Sequence, residues 1–331
     1  MPFRAPERGV GEGRFKPLRV VLPAADGPAA MVEVQVGEED VGDVVAVESE
    51  RVELGVEVLR SRGVMAEELL ALLVAHAAVD EHQAVALLIE EGNRLMLIDC
   101  GMGDKQGEKF FGHYAPQPED LDAQLHALGF HRDDITDVFL THLHFDHCGG
   151  AIRRRHDDPE RFEPAFANAS FWSTERHWAW ANDPNPREKA SFLKENIHPI
   201  EASGQLNYIP RAEGTTDTRQ PIDGFPDLDV LFVDGHTESQ MLPLLKRGDR
   251  KALFTADLLP ATTHIPVAWV MGYDTRPLLT VSEKERILTC AEREHWTLLF
   301  EHDAHHEAAT VHRTEKGVRL ERAGRRSEFD W

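Results

Sequence analysis

Four side chains able to ligate a metal, His142, His144, Asp146 and His147, fall within six positions in the run Thr141-His142-Leu143-His144-Phe145-Asp146-His147-Cys148-Gly149-Gly150. Imidazole nitrogens and a carboxylate oxygen are the donors that Zn2+ and its first-row neighbours accept. On an extended segment, residues two apart point the same way, so His142 and His144 can share one ion. Gly149 and Gly150 end the extended run, and a turn there swings Asp146 and His147 toward a different point in space. The spacing therefore suggests two adjacent ions. A histidine-rich surface loop in a chain with 18 histidines is the plain alternative. Against it stands the preceding run Ile135-Thr136-Asp137-Val138-Phe139-Leu140, which reads as a buried strand delivering the cluster to a sheet edge.

Two ions need more donors than this segment offers, and further candidates lie where other apolar runs give out. His236 follows Val230-Leu231-Phe232-Val233, Asp257 ends the run Ala252-Leu253-Phe254-Thr255, and His302 follows Leu298-Leu299-Phe300. Taken singly each has an ordinary structural explanation, such as a strand cap or a turn-opening aspartate. Asp99 closes the run Leu97-Ile98 just before Cys100-Gly101 and is a candidate supporting carboxylate. Cys148 reads as a small buried residue rather than a ligand. His305 and His306 read as exposed neighbours of His302. A substrate pocket has weaker candidates: Phe111, His113 and Tyr114 in the segment after the Gly101–Gly103 turn, for which packing is an equal explanation, and His264 and Tyr273 after Asp257, which could meet a substrate oxygen.

The elements that would position these groups can be read from periodicity. Strands are expected at Leu18–Leu22, Ala30–Val36 and Val52–Val58, and an amphipathic helix at Met65–Ala78. A hairpin follows, with Ala84–Ile89 and Leu95–Ile98 joined at Gly92-Asn93, then a helix at Pro118–Leu128 and the strand into the cluster. Further on come strands at Leu228–Val233, Met241–Leu245, Ala252–Thr255, Trp296–Phe300 and Val318–Leu320, and a helix at Val281–His295. Phe171, Trp172, Trp178 and Trp180 read as core. Residues 1–17, rich in Gly, Pro, Arg and Glu, read as an arm or disordered tail. Residues 18–331 read as one domain whose part from 18 to 80 is atypical.

With 41% hydrophobic and 28% charged residues the chain has globular composition. A formal charge of −22 argues against binding nucleic acid through its phosphates. Arg153-Arg154-Arg155 is a local exception and reads as a solvated helix face. Three scattered cysteines, Cys100, Cys148 and Cys290, fit a reducing compartment, and no apolar run is long enough to span a membrane. The expectation is a cytoplasmic protein with a small-molecule substrate, no nucleic-acid or membrane partner, and a homodimer as a compatible state.

The cluster together with His236, Asp257 and His302, in this order at strand ends, resembles the metallo-β-lactamase fold superfamily from about Leu88 to the last strand. The resemblance implies an α/β four-layer αβ/βα sandwich. It implies a first ion held by His142, His144 and His236, a second held by Asp146, His147 and His302, and Asp257 bridging both, with Asp99 in support. Within the superfamily the chain looks most like the lactonase and organophosphate hydrolase branch. It departs from relatives that continue Gly-His-Thr with Pro-Gly-His, having Glu238-Ser239-Gln240 instead, and from lactonases with a tyrosine three residues after the bridging aspartate, having Pro260 there.

Two divalent ions, Zn2+ by preference, flanking a shared water would lower its pKa toward neutrality and supply a bridging hydroxide. The expected activity is hydrolysis of a lactone or small carboxylic ester, with Asp257 and Asp146 as the catalytic carboxylates and Asp257 able to relay a proton. A phosphotriesterase on the same site is the alternative. A mononuclear iron oxidoreductase would use fewer of these donors, and a nuclease is disfavoured by the charge.

Overall fold

The computed structural model describes residues 18–24, 27–34, 70–74, 87–114, 121–212 and 219–329. The chain divides into two compact units, Met1–Leu54 and Gly55–Trp331. In the first, β1 (Leu18–Ala24) pairs antiparallel with β2 (Gly27–Val34), Leu18 opposite Val34. Both strands were expected, the second from three residues further on. The expected arm at 1–17 and strand at 52–58 lie outside the described residues.

The second unit begins with β3 (Leu70–Val74), β4 (Leu87–Glu91), β5 (Arg94–Ile98), α1 (Glu108–Tyr114), α2 (Leu121–Ala127), β6 (Asp137–Phe139) and α3 (Phe145–Cys148). It continues through β7 (Ile152–Arg154), β8 (Phe162–Pro164), β9 (Ser170–Ser173), α4 (Glu175–Asn182), α5 (Lys194–Ser203) and β10 (Leu206–Tyr208). Then follow β11 (Gln220–Ile222), β12 (Phe225–Val233), β13 (Gln240–Arg247), β14 (Arg250–Phe254), α6 (Pro277–Arg293), β15 (Thr297–Leu299), β16 (Ala308–Thr314) and β17 (Gly317–Gly324). One sheet runs β10-β9-β6-β5-β4-β3 and the other β11 to β17 in sequence order.

Period-two alternation explains the layers. Leu87, Ile89, Met96, Ile98 and Phe139 join one core with β12 to β16 and α6, while the residues between them, Leu88, Leu95, Leu97 and Val138, join a second core with α2, α4 and α5. A strand covered on both faces must be apolar at every position, which is why these strands read as unbroken hydrophobic runs. The layering is that of the metallo-β-lactamase fold: helices, sheet, sheet, helix.

Two expectations are corrected. Within the stretch read as a helix over 65–78, Leu70–Val74 forms β3, pairing antiparallel with β4 so that Leu70 lies opposite Glu91; an apolar run next to an open sheet edge gains ladder hydrogen bonds that outweigh a weak helical period. Arg153 and Arg154 lie on β7 rather than a helix, with Arg153 paired to Glu163 and Arg155 beyond the strand paired to Asp157. The strands expected at 228–233, 241–245 and 252–255 are β12, β13 and β14, and the helix expected at 281–295 is α6, begun four residues earlier at Pro277. Proline suits the first turn of a helix, where its missing N–H costs nothing.

Candidate metal centre

Parallel pairing brings the site together. Ile98 of β5 lies beside Phe139 of β6, so both strands release their chains at one level. There the Thr141 N–H and Oγ1–H donate to Asp99 Oδ1 and Oδ2 at 2.8 and 2.7 Å. Asp99 adopts φ 54°, a left-handed conformation that aspartate tolerates better than most residues. In the other sheet, Phe254 of β14 lies beside Leu299 of β15, which releases Asp257 and His302 side by side. His236 sits in the hairpin closed by the Val233 and Gln240 pair. The Met241 N–H donates to the Thr141 carbonyl at 2.9 Å and ties the two sheets at the site.

All seven donors predicted from sequence converge. His142, His144, His236 and Asp257 place ligand atoms within 4.8 Å of one another, and so do Asp146, His147 and His302. Asp257 spans the groups. Its Oδ2 lies 3.2 Å from His236 Nε2 and 3.9 Å from His142 Nε2, and its Oδ1 lies 3.2 Å from His302 Nε2 and 3.6 Å from His147 Nε2. His142 Nε2 is buried with no hydrogen-bond partner, and a buried acceptor left unpaired is costly unless something else occupies it. A donor set of imidazole nitrogens and carboxylate oxygens with such an orphan fits a divalent metal.

The ring nitrogens that face away from the donors are held by oxygen atoms. His144 Nε2 lies 3.1 Å from Glu188 Oε1, His236 Nδ1 lies 3.2 Å from Asp274 Oδ1, and His142 Nδ1 lies 3.0 Å from Thr141 Oγ1. His147 Nδ1 lies 3.0 Å from Asp99 Oδ2 and 3.1 Å from Glu301 Oε2. Such partners fix which nitrogen faces the ion and how the ring is turned. Glu188 also accepts from Thr237 Oγ1–H and from Trp180 Nε1–H. Burial works against its charge, but the bonds from His144 and Thr237 prevail and hold its carboxyl at about 2. Burial pushes Glu301 the other way, up to about 8, against the pull of His147. Burial and the neighbouring imidazoles drive His142 well below its usual range. Burial would lower His302 too, but Asp257 outweighs it and raises the ring to about 9.

The glycine pair acts differently from expectation. The chain turns at α3, which carries Asp146 and His147 and begins at Phe145, before either glycine. Gly149 has φ −59°, open to any residue. The glycines serve close approach instead: a Cβ at Gly149 would strike the Met102 carbonyl, and one at Gly150 the Cys100 carbonyl. That contact lets the Cys100 N–H reach the His147 carbonyl at 2.7 Å and so brings Asp99 against His147.

Among the pocket candidates, Phe111 packs against Phe110 at 5.8 Å between ring centroids, and Phe110 meets Phe145, between His144 and Asp146, at 5.1 Å. The side chains of His113 and Tyr114 lie outside the described residues. His264, in the turn Thr262–His264, is half-buried; burial and Lys284 lower its pKa while Asp274 and Asp257 oppose them. Tyr273 is 78% exposed. Cys148 is buried, its thiol pushed up to about 12 by burial, and its Sγ donates to the Leu143 carbonyl. Phe171 and Trp178 are buried in the second core, Trp172 packs on the first, and Trp180 is the donor to Glu188. Sequence reasoning missed Glu188, Asp274 and Glu301. Only Glu301 carried a signal, as a charged residue directly after an apolar run and before His302.

The family model for the metallo-beta-lactamase superfamily matches residues 79–302, and the chain belongs to that superfamily. It is 25% identical over 181 residues to the N-acyl homoserine lactonase AttM of Rhizobium radiobacter, a stretch covering 54% of this chain and 62% of that protein, less than two thirds of the relative's length. In fold it is similar to a probable metal-dependent hydrolase from Staphylococcus aureus, with TM-score 0.63 and 22% identity over 79% of this chain and 85% of the other. It is likewise similar to AidC, a dizinc quorum-quenching lactonase, with TM-score 0.60 and 16% identity over 80% of this chain and 97% of the other. No helix among the described residues is long and apolar enough to cross a membrane.

Proposed function

We propose that the chain is a dinuclear metal-dependent hydrolase of a lactone or small carboxylic ester, with His142, His144 and His236 on one ion, Asp146, His147 and His302 on the other, and Asp257 between them. The observation that carries this reading is Asp257, whose two oxygens lie against two separate groups of donors. Two divalent ions, Zn2+ by preference, would acidify a shared water and polarise an acyl oxygen. The rest is work for the chain's own side chains. Glu188, Asp274 and Asp99 hold His144, His236 and His147 in the tautomers that turn a lone pair inward. Asp257, buried and flanked by His236 and His302, accepts or relays a proton as the acyl–oxygen bond breaks. His264, with Asp257 among its electrostatic neighbours, is the candidate to meet the substrate oxygen, and the Phe110 and Phe145 rings, the latter between His144 and Asp146, are the candidates for an apolar wall.

Metal analysis coupled to a hydrolysis screen tests the reading. The expected result is about two equivalents of metal per chain, turnover on lactones or esters, and a loss of at least roughly 100-fold in His144→Ala. A metal-free preparation with full activity overturns it. A preference for aryl phosphotriesters would place the chain with phosphotriesterases, and a single iron with oxygen uptake would replace hydrolysis by oxidation.

A further inference from the structure

Glu301 connects β15 to His302 and is fully buried. Apart from His147, no donor among the described residues reaches either of its carboxyl oxygens. A buried carboxyl so poorly served is costly, and its placement calls for a reason. Its surroundings supply one. Asp99, His147 and Glu301 place their polar atoms within 4.8 Å of one another, and His147 Nδ1 lies between the two carboxyls, 3.0 Å from Asp99 Oδ2 and 3.1 Å from Glu301 Oε2. Asp99 is further engaged by Thr141, through both its N–H and its hydroxyl. Asp99 comes from the end of β5 in one sheet and Glu301 from the end of β15 in the other. The His147 ring is thus gripped from both sheets, while its Nε2 faces Asp257 Oδ1 at 3.6 Å and His302 Nε2 at 3.3 Å.

We propose that Glu301 is a positioning residue for the second ion: with Asp99 it clamps His147 Nδ1, and through the peptide it shares with His302 it sets both imidazoles of that ion against Asp257. The proposal rests on the two-ion reading above. It differs from that reading in assigning one side chain to one of the two ions, since Glu301 groups with His147 and adjoins His302, whereas His142, His144 and His236 group with Asp257.

Zn2+ counting and chelator competition on wild type, Glu301→Gln, Glu301→Asp and Glu301→Leu test it. Gln keeps the length and an acceptor oxygen, Asp withdraws the carboxyl by one methylene, and Leu removes it. The expected result is two equivalents in wild type and Gln, with the second equivalent weakened roughly 10- to 100-fold in Asp and Leu while the first is unchanged. If Leu does not unfold cooperatively, the Gln and Asp pair decides alone. Three variants that all keep the second equivalent overturn the proposal. So does retention in Asp with loss in Gln, which would mark a need for charge rather than reach, and so does parallel loss of both equivalents, which would mark a general structural role. A wild type that binds one equivalent overturns the two-ion reading as well; a wild type that binds two with unaffected variants overturns only the role of Glu301.

Discussion

His177 stands one layer behind the donors and decides how they are presented. Its Nε2 accepts the Leu143 N–H at 2.8 Å, between His142 and His144, and its Nδ1–H donates to the Glu238 carbonyl in the hairpin of His236. Only the neutral ring can do both. Thr174 caps α4 through the His177 N–H at 2.9 Å and fixes the ring's origin. Burial lowers the pKa from 6.5 to about 4, so the folded protein binds fewer protons here than the unfolded chain. The sign follows: the contribution is complete above 6.5 and is lost as the pH falls toward 4, a change of about 3 kcal/mol as an order of magnitude. Denaturant titrations of wild type and His177→Gln at several pH values across that window should show a slope in wild type that the variant, which can donate and accept without titrating, lacks. Equal slopes would mean that other groups govern acid stability.

At the next scale, α6 is the element that holds His236 in place. The Thr275 and Arg276 N–H groups donate to the His236 and Gly235 carbonyls at 3.1 and 2.8 Å. Glu283 accepts from the Asp234 and Gly235 N–H groups at 2.7 and 3.0 Å. A Cβ at Gly235 would meet the Thr280 backbone, so Gly235→Ala must push the hairpin from the helix. The expected cost is about 1–3 kcal/mol of stability, with weaker metal binding because His236 moves; a melting temperature and metal content equal to wild type would refute it. The same element shows what the sequence discloses. The side chains that converge were legible as candidates because they follow points where an apolar run stops, and an apolar run that ends abruptly at a ligand-type residue is a local signal. Glu188 and Asp274 were not, because they meet His144 and His236 across 44 and 38 residues and their own segments carry no period. β3 was misread because a strand at a sheet edge draws on partners that no local window contains. Gly149 and Gly150 were noticed for flexibility, whereas their use is steric and depends on Cys100 and Met102 some fifty residues earlier.

For the whole unit the consequence is that the donors come from both sheets. His142, His144, Asp146 and His147 follow β6, while His236, Asp257 and His302 follow β12, β14 and β15 in the opposing sheet. Ions bound there join the sheets across the end of the core they share, and a ligand bound only by the folded state stabilises it by about 4 kcal/mol at a thousandfold excess over its dissociation constant. Stripping with a chelator should therefore lower the denaturation midpoint, and Zn2+ should restore it; an unchanged midpoint would place the ions outside the fold's energetics. Binding should also release protons. In the metal-free protein Asp257 holds the proton on His302 up to about 9, against the effect of burial, and Glu301, Asp146 and Asp257 together raise His147 well above its usual range despite burial. A ligand nitrogen must be unprotonated, so at pH 7 these rings give up protons as the ions enter, and apparent affinity rises with pH, the share owed to His302 ending near 9, where its ring is already neutral. Calorimetric titration of Zn2+ at pH 7 in buffers of different ionisation enthalpy reads this directly. The heat should vary linearly with buffer enthalpy, with a slope of about one proton or more per pair of ions bound, and a zero slope would mean that the imidazoles are neutral before the metal arrives.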